Sequence, residues 1–152
     1  MLKQQITSPS SIQTGADNWI GLEHAATVEV TSEDKNYPIE SALSLQRGQG
    51  WRAAEPGVQT IRLFFDNPQK ISRISLIFEE DEITRTQEFV LRSGGPFREI
   101  VRQQWNFSAP TSTQEIEDYH VDLPNVSTLE LTIVPDISGG AARASLKSLR
   151  LS

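Results

Sequence analysis

The feature that most constrains this chain is an alternation of apolar and polar residues that recurs in short runs between residues 26 and 151. In one run Ile61, Leu63 and Phe65 occupy every second position, as they do when one face of a β-strand is buried. Nowhere do apolar residues recur at i, i+3 and i+4 over ten or more positions, which disfavours a parallel sheet with crossover helices. Clusters of Gly, Pro, Asn or Ser separate the further runs, which include Ile74/Leu76, Phe89/Leu91, Val101/Trp105, Tyr119/Val121, Leu129/Leu131 and Leu149/Leu151.

Seven or eight strands of this length predict an all-β chain that folds as an antiparallel β-sandwich. One domain is sufficient for 152 residues. We expect residues 1–25 to form an N-terminal arm packed on the domain and residues 26–152 to form the sandwich. Within it, residues 39–45 predict one helical turn, and the run Asp66-Asn67-Pro68-Gln69 predicts a tight turn that joins two strands in a hairpin.

Composition disfavours several classes of function. The chain has no Cys, so we expect neither disulfides nor a thiolate metal site. Its apolar stretches are far shorter than the roughly 20 residues of a membrane span, and the N-terminus lacks the apolar core of a secretory signal. A net charge of -6 and a pI near 4.9 disfavour binding to phosphate backbones. We therefore expect a soluble, cytoplasmic protein whose partners are neither membranes nor nucleic acids.

Several segments follow one another in an order that is itself informative. The motif Gly50-Trp51-Arg52-Ala53 precedes a first long strand at residues 59–65, and a further strand-like run at residues 86–95 ends in Ser93-Gly94-Gly95. Residues 129–134 and 145–151 then supply two final strands. This order resembles that of the galactose-binding-like superfamily, and in particular its discoidin or coagulation-factor C-type domains.

The resemblance covers most of the chain, and it implies a jelly-roll β-sandwich that binds a ligand without catalysis. It implies a carbohydrate-binding module whose site lies in loops at one end of the sandwich, at residues 32–37, 47–52 and 80–85. The chain departs from the family in two respects. The Cys pair that ties the termini in many secreted members is absent, and Gly95 stands where the family's turn has Asp.

Sugar sites commonly combine planar hydrogen-bonding groups with an aromatic ring, on which the apolar face of a pyranose packs. Tyr37, which Asn36 precedes, is the aromatic residue that we expect to offer such a ring in a loop. Arg52 follows in a second loop of the predicted site, with a guanidinium that suits hydroxyl or carboxylate oxygens. Trp51 is expected in the core instead.

Two neighbouring strands suggest a further set of planar polar groups. Arg102 and Gln104 share one strand face, opposite Trp105, and Arg85 and Gln87 lie in the neighbouring strand region. Together these four side chains form a second candidate ligand patch. Alternatively, they are cross-strand polar pairs on a solvated sheet, or an exposed face that docks a protein partner, in which case the chain is a protein-interaction or scaffold module.

The sequence gives little support for catalysis. It has no Gly-x-Ser-x-Gly elbow and no phosphate-binding loop, and its two His residues, His24 and His120, are far apart in the chain. Glu115 and Glu117 share a strand face and are the remaining candidates for acid-base work. We therefore expect a binding protein with no catalytic residues and no cofactor. Calcium is the one ion that remains open, because residues 79–82 place four carboxylates at a strand end, where a solvated turn is the alternative.

Overall fold

A computed structural model describes residues 18–46, 48–94, 98–108 and 110–152. The part of the chain that it describes contains two short α-helices and eight β-strands, so the all-β fold class is confirmed. The helices are α1 (Leu22–Ala25) and α2 (Ile39–Leu43). The strands are β1 (Ala26–Val30), β2 (Trp51–Pro56), β3 (Gln59–Glu79), β4 (Arg85–Ser93), β5 (Arg98–Phe107), β6 (Gln114–Val134), β7 (Arg143–Leu146) and β8 (Ser148–Leu151).

Most of the predicted N-terminal arm, residues 1–17, lies outside the described residues. The remainder of the arm contacts the domain: the backbone N–H of Ile20 donates to the carbonyl of Leu151 at 2.7 Å, and Leu22 of α1 is buried. The predicted helical turn is confirmed as α2, which buries Ile39 and Leu43. No helix among the described residues is long and apolar enough to span a membrane.

The strands are antiparallel and form two layers. Strand order in the main sheet is β1-β3-β6-β4-β5, with β8 added beside β3, while β2 and β7 pair separately. Strands β3 and β6 each have 21 residues, and both contribute to the two layers. The first half of β3 pairs with β1 and with the second half of β6, whereas its second half pairs with β8 and the first half of β6.

The predicted hairpin at residues 66–69 is wrong. The chain bends there but continues as one strand, and the register with β6 shifts between Phe64, Gln69, Ile71 and Arg73. Irregular pairing at this point is understandable, because Pro68 has no N–H to give to a sheet and fits best at a bulge. The turn residues therefore make a corner through which β3 passes from one layer into the other.

Aromatic residues pack the two layers against each other. Phe78 from the second layer contacts Phe89 from the first, with ring centroids 5.5 Å apart, and Trp105 lies 5.0 Å from Phe78. Phe78 and Phe89 are fully buried, and so is Trp51. The core position predicted for Trp51 is thus confirmed.

The corner in β3 determines where the loops meet. Because β3 runs along one layer and returns along the other, its first residue Gln59 and its last residue Glu79 lie at the same end of the sandwich. The loops that follow β1, β3 and β6 leave from this end too, since Val30 pairs with Ile61 and Gln59 pairs with Ile133. We call it the loop end.

Candidate ligand-binding site

An open cleft of about 570 Å³ lies at the loop end, and we call it the end cleft. Its walls come from five separate parts of the chain: the loop after β1, the start of β2, the β3–β4 loop, the residue before β6 and the β7 region. The size is within the range of ordinary ligand pockets, roughly 300 to 1,000 Å³. Polar side chains that line it include Asp34, Arg52, Glu80, Thr113, Arg143 and Ser145.

Arg52 is placed in the end cleft by the packing of β2. Gly50 has a φ of +84° and lies so close to β7 that a Cβ there would be 2.6 Å from the carbonyl oxygen of Leu146. The next residue, Trp51, points into the core and donates its indole N–H to the carbonyl of Ser32 at 3.1 Å. Since successive strand residues face opposite sides, Arg52 points outward.

Tyr37 and Asp34 hold Arg52 from the loop after β1. The Arg52 guanidinium carbon lies 4.6 Å from the centre of the Tyr37 ring, a cation–π distance. Two backbone bonds join the same segments: Arg52 N–H donates to Tyr37 at 3.2 Å, and Asp34 N–H donates to Arg52 at 2.8 Å. One face of the Tyr37 ring is therefore occupied by Arg52, and the ring orients that guanidinium.

Arg85 anchors the β3–β4 loop from its buried side. This buried side chain donates from Nε to Glu80 at 2.7 Å, and from Nη1 to Gln87 and to the carbonyl of Pro135, each at 2.6 Å. The other oxygen of Glu80 accepts the backbone N–H groups of Glu82 at 3.1 Å and Ile83 at 3.3 Å. The wall of the end cleft is thus fixed by a buried ion pair.

Burial of Glu80 acts to raise the pKa of its carboxyl group. The hydrogen bonds from Arg85 and from the backbone of Glu82 and Ile83 stabilise the ionised form, however, and together with the charge of Arg85 they hold the pKa below its ordinary value. Glu80 is consequently a fixed negative charge at neutral pH.

The charges around the end cleft are unbalanced. Arg52 and Arg143 are its two guanidiniums, and neither forms an ion pair with another of the described residues. Five carboxylates surround them, from Asp34, Glu79, Glu80, Asp81 and Glu82. The site therefore offers both donors and acceptors on a net negative surface.

The structure separates the residues that the sequence singled out. Tyr37 and Arg52 contact each other at the loop end, in the first and second loops of the predicted site, with Asn36 exposed beside Tyr37. Arg85 and Gln87 are buried beneath the β3–β4 loop. The structure places these last two away from the cleft surface, as supports for it.

Arg102 and Gln104 lie elsewhere, exposed on the outer face of β5. Arg102 bonds there to Glu88 at 3.0 Å and to Glu99 at 2.9 Å. Arg85 and Gln87 pair with Phe107 and Trp105 on the opposite face. Because the two sets face opposite sides of the sheet, the four side chains do not form one patch.

Sequence reasoning missed the contribution of the β7 region. Arg143 and Ser145 line the end cleft, and the Ser145 hydroxyl donates to the carbonyl of Glu79 at 3.2 Å. Thr113, just before β6, also lines it. No local motif marks Arg143 and Ser145, because the strand pairing that brings them to Arg52 spans almost a hundred positions of sequence.

Glu79 and Glu80, two of the four carboxylates at residues 79–82, bind different partners. Glu79 accepts a hydrogen bond from Gln114 at 3.3 Å and lies 3.9 Å from the Lys147 ammonium, while Glu80 binds Arg85. Among the described residues, no three His, Asp or Glu side chains are grouped in a way that could hold a metal ion.

Glu115 and Glu117 are close together but lie outside the end cleft. A hydrogen bond between their carboxyl groups, with burial and the charge of Glu117, raises the pKa of Glu115 to about 7. The hydroxyl of Tyr119 donates to Glu117. Two carboxyl groups in direct contact leave no room between them for a sugar, whereas glycosidases hold theirs about 5 Å or more apart.

No protein-family model and no curated protein sequence matches this chain. Solved structures do match it. The family 32 carbohydrate-binding module of NanJ from C. perfringens, in complex with galactose, has a TM-score of 0.63 and 17% identity, over 88% of this chain and 96% of that chain. A module termed CBM32-3, from a family 31 glycoside hydrolase of Clostridium perfringens, has a TM-score of 0.64 and 14% identity, over 93% and 98%.

A third match is a fucose binding module from Streptococcus pneumoniae, with a TM-score of 0.60 and 11% identity, over 89% of this chain and 96% of that chain. At such low identity the matches show the fold. The chain therefore has the galactose-binding-like, discoidin-type β-sandwich fold that the order of its segments predicted.

Proposed function

We propose that this chain is a non-catalytic carbohydrate-binding module and that the end cleft is its sugar site. The observation that carries the proposal is the cleft itself. In it, two guanidiniums that form no ion pair with another described residue face one open space, together with several carboxylates and hydroxyls. The fold supports it, since structures of the same fold include one in complex with galactose and one described as a fucose binding module.

Hydrogen-bonding chemistry explains why such a site suits a sugar. Each sugar hydroxyl both donates and accepts, so a complementary surface needs groups of both kinds. Arg52 and Arg143 provide only donors, whereas Asp34 provides only acceptors. The hydroxyls of Thr113 and Ser145 can do either. A guanidinium presents two parallel N–H groups, which match the spacing of oxygens on adjacent carbons.

The charge of the end cleft favours a neutral sugar. Arg85 and Lys147 balance the charges of Glu80 and Glu79. The other three lining carboxylates, from Asp34, Asp81 and Glu82, still outnumber the two guanidiniums and repel an added negative charge. We therefore expect neutral hexoses and deoxyhexoses to bind here in preference to uronic acids.

Calorimetric titration with galactose, fucose and N-acetylgalactosamine tests the proposal. We expect a neutral sugar to bind, and Arg52→Ala and Arg143→Ala each to weaken binding about tenfold, which is the loss of one or two charge-assisted hydrogen bonds. Arg98→Ala is the matched control, because Arg98 is exposed at the far end of β5. Absence of binding by all three sugars, or equal loss with the control, would contradict the proposal.

A further inference from the structure

A second groove of about 490 Å³ lies on the outer face of the second layer, and we call it the back groove. Strands β3 and β8 form its floor, and the segment that follows α2 forms one wall. Glu79 lines both this groove and the end cleft, and a small pocket lined by Arg52 and Lys147 lies between them. Apart from Glu79, the described residues that line the back groove differ from those that line the end cleft.

Strand alternation places polar groups on the floor of this groove. Ile74 and Leu76 face the core, so Ser75 and Ile77 face outward. Arg150 of β8 pairs with Ser75 across the sheet and lies on the same face. Its Nη2 donates to the carbonyl of Leu45 at 3.2 Å, a bond that ties the segment after α2 to the floor.

The back groove is cationic, unlike the end cleft. It is lined by Lys147, Arg150 and a single carboxylate, that of Glu79. Glu79 lies 3.9 Å from Lys147 and accepts a hydrogen bond from Gln114, whereas Arg150 has no carboxylate partner among the described residues. Arg150 also has a buried Nε atom without a hydrogen-bond partner. A local excess of positive charge is therefore maintained on a protein of net charge -6.

Apolar surface lies beside these cations. Trp19 lines the groove, and it is held there by the Arg73 guanidinium, whose central carbon is 4.9 Å from the ring centre. Arg73 is itself fixed by two bonds to Asp118, at 3.0 and 2.6 Å. On the floor, Ile77 pairs with Ile116, which is 60% exposed.

We infer that the back groove is a second ligand site and that it takes an acidic saccharide unit, a uronate. Lys147 and Arg150 face the carboxylate, Trp19 and Ile77 contact the apolar face of the pyranose, and Ser75 exchanges hydrogen bonds with its hydroxyls. A uronate can use all three features of the groove: the positive charge, the flat apolar surface and the hydroxyl groups. A neutral sugar does not use the charge, and an inorganic anion does not use the apolar surface. The site goes beyond the proposed neutral-sugar cleft, and each can be occupied without the other.

Titration calorimetry with tetragalacturonate, and with the same tetrasaccharide after reduction of its carboxyl groups, tests this inference. In the Arg52→Ala/Arg143→Ala background, where the end cleft is weakened, we expect the acidic form to bind in preference to the reduced form. The Lys147→Gln/Arg150→Gln double variant should lose about tenfold or more in affinity, because charge-assisted hydrogen bonds are removed. Lys70→Gln is the matched control, since Lys70 is an exposed cation at the corner of β3.

Trp19→Ala provides a second variant in which the cations and the bond from Arg150 to Leu45 remain, and it too should weaken binding. The Arg52→Ala/Arg143→Ala pair separates the two sites and should leave tetragalacturonate binding unchanged. Loss of binding in that pair alone would place the uronate in the end cleft and overturn the inference. Equal affinity of that pair variant for the acidic and reduced forms, or no binding of the acidic form, would overturn it too. The galactose titrations test the end cleft separately.

Discussion

Arg85 is the residue on which the shape of the end cleft most depends. Its side chain is 1% exposed and that of its partner Glu80 is 14% exposed. Replacing Arg85 with Met would retain much of the packing while leaving the Glu80 carboxylate without its cation. Removing one member of a buried ion pair typically costs about 3 to 5 kcal/mol. We expect Arg85→Met to lower the free energy of unfolding by about 3 kcal/mol in urea denaturation.

Arg102→Met is the control for Arg85→Met. Arg102 also has acidic partners, Glu88 and Glu99, but its side chain is 46% exposed. Exposed ion pairs contribute at most about 1 kcal/mol, so this control should lie close to the wild-type protein. Similar losses in the two variants would show that the pair with Glu80 does not depend on burial.

The arrangement of Glu79 and Glu80 leads to a prediction about calcium binding. Each of these carboxylates is already bonded to another side chain, Glu79 to Gln114 and Glu80 to Arg85. A calcium ion needs six to eight oxygen ligands and would have to replace those bonds. We expect neither millimolar calcium nor a chelator to change the melting temperature. A rise with calcium would contradict this, because a ligand of the native state raises its stability.

How far the site could be predicted from sequence differs from residue to residue. Tyr37 and Arg52 were assigned from loop position and side-chain type, and the structure joins them. Arg143 was not, because its position at the cleft follows from the pairing of β2 with β7, which no local pattern reveals. The sequence makes Arg85 a ligand-binding candidate, but a guanidinium can equally well hold a loop in place. Only its burial in the structure distinguishes a supporting role from a ligand-binding one.

At the scale of elements, Gly50 controls how β2 docks against β7. A Cβ at this position would lie 2.6 Å from the Leu146 carbonyl oxygen and 2.8 Å from the Lys147 Cα, and φ is +84°. Gly57 is a matched control: its φ is +90°, but a Cβ there would meet nothing within 4 Å. Both substitutions to Ala incur the left-handed backbone strain of about 1 to 2 kcal/mol. Only Gly50→Ala adds a clash with backbone.

We therefore expect Gly50→Ala to destabilise the fold by at least twice as much as Gly57→Ala in urea denaturation. The same variant should also weaken sugar binding, because Arg52 is carried by the displaced strand. If Gly50→Ala and Gly57→Ala lowered the free energy of unfolding equally, β2 could move away from β7 without loss of stability. That result would contradict the close packing at Gly50.

The corner in β3 shows which features of an element the alternation of residues and the turn residues can predict, and which they cannot. The alternation correctly predicts extended chain around Ile61 and around Ile74, because the inward-facing residues in both halves of β3 are apolar. The turn residues also locate a break at Pro68. Whether a break reverses the chain or bends it depends on the partner strand, and here β6 remains paired on both sides of Pro68.

At the scale of the whole molecule, three carboxyl groups couple stability to pH in opposite directions. The pKa values of Glu80 and Asp118 are lowered. Burial acts to raise the pKa of Glu80, but the hydrogen bonds from Arg85 and from the backbone of Glu82 and Ile83, with the charge of Arg85, together outweigh it. A hydrogen bond from Arg73 is the main cause for Asp118. Both contribute stability above their ordinary pKa values of 4.5 and 3.8, and that stability is lost as pH falls through the lowered values. Glu115 instead affects stability on the alkaline side of the pH range.

Because its pKa is raised from 4.5 to about 7 by the hydrogen bond with Glu117, Glu115 contributes stability that is complete below 4.5 and disappears as pH rises through 7. We therefore expect the melting temperature to be highest at about pH 5 and to fall on both sides. The alkaline loss should be on the order of 1 kcal/mol, because partial exposure screens the pair. Glu115→Gln should flatten only the alkaline side, and Glu80→Gln only the acid side. A profile that rises steadily from pH 5 to 8 would contradict the coupling of Glu115 to Glu117.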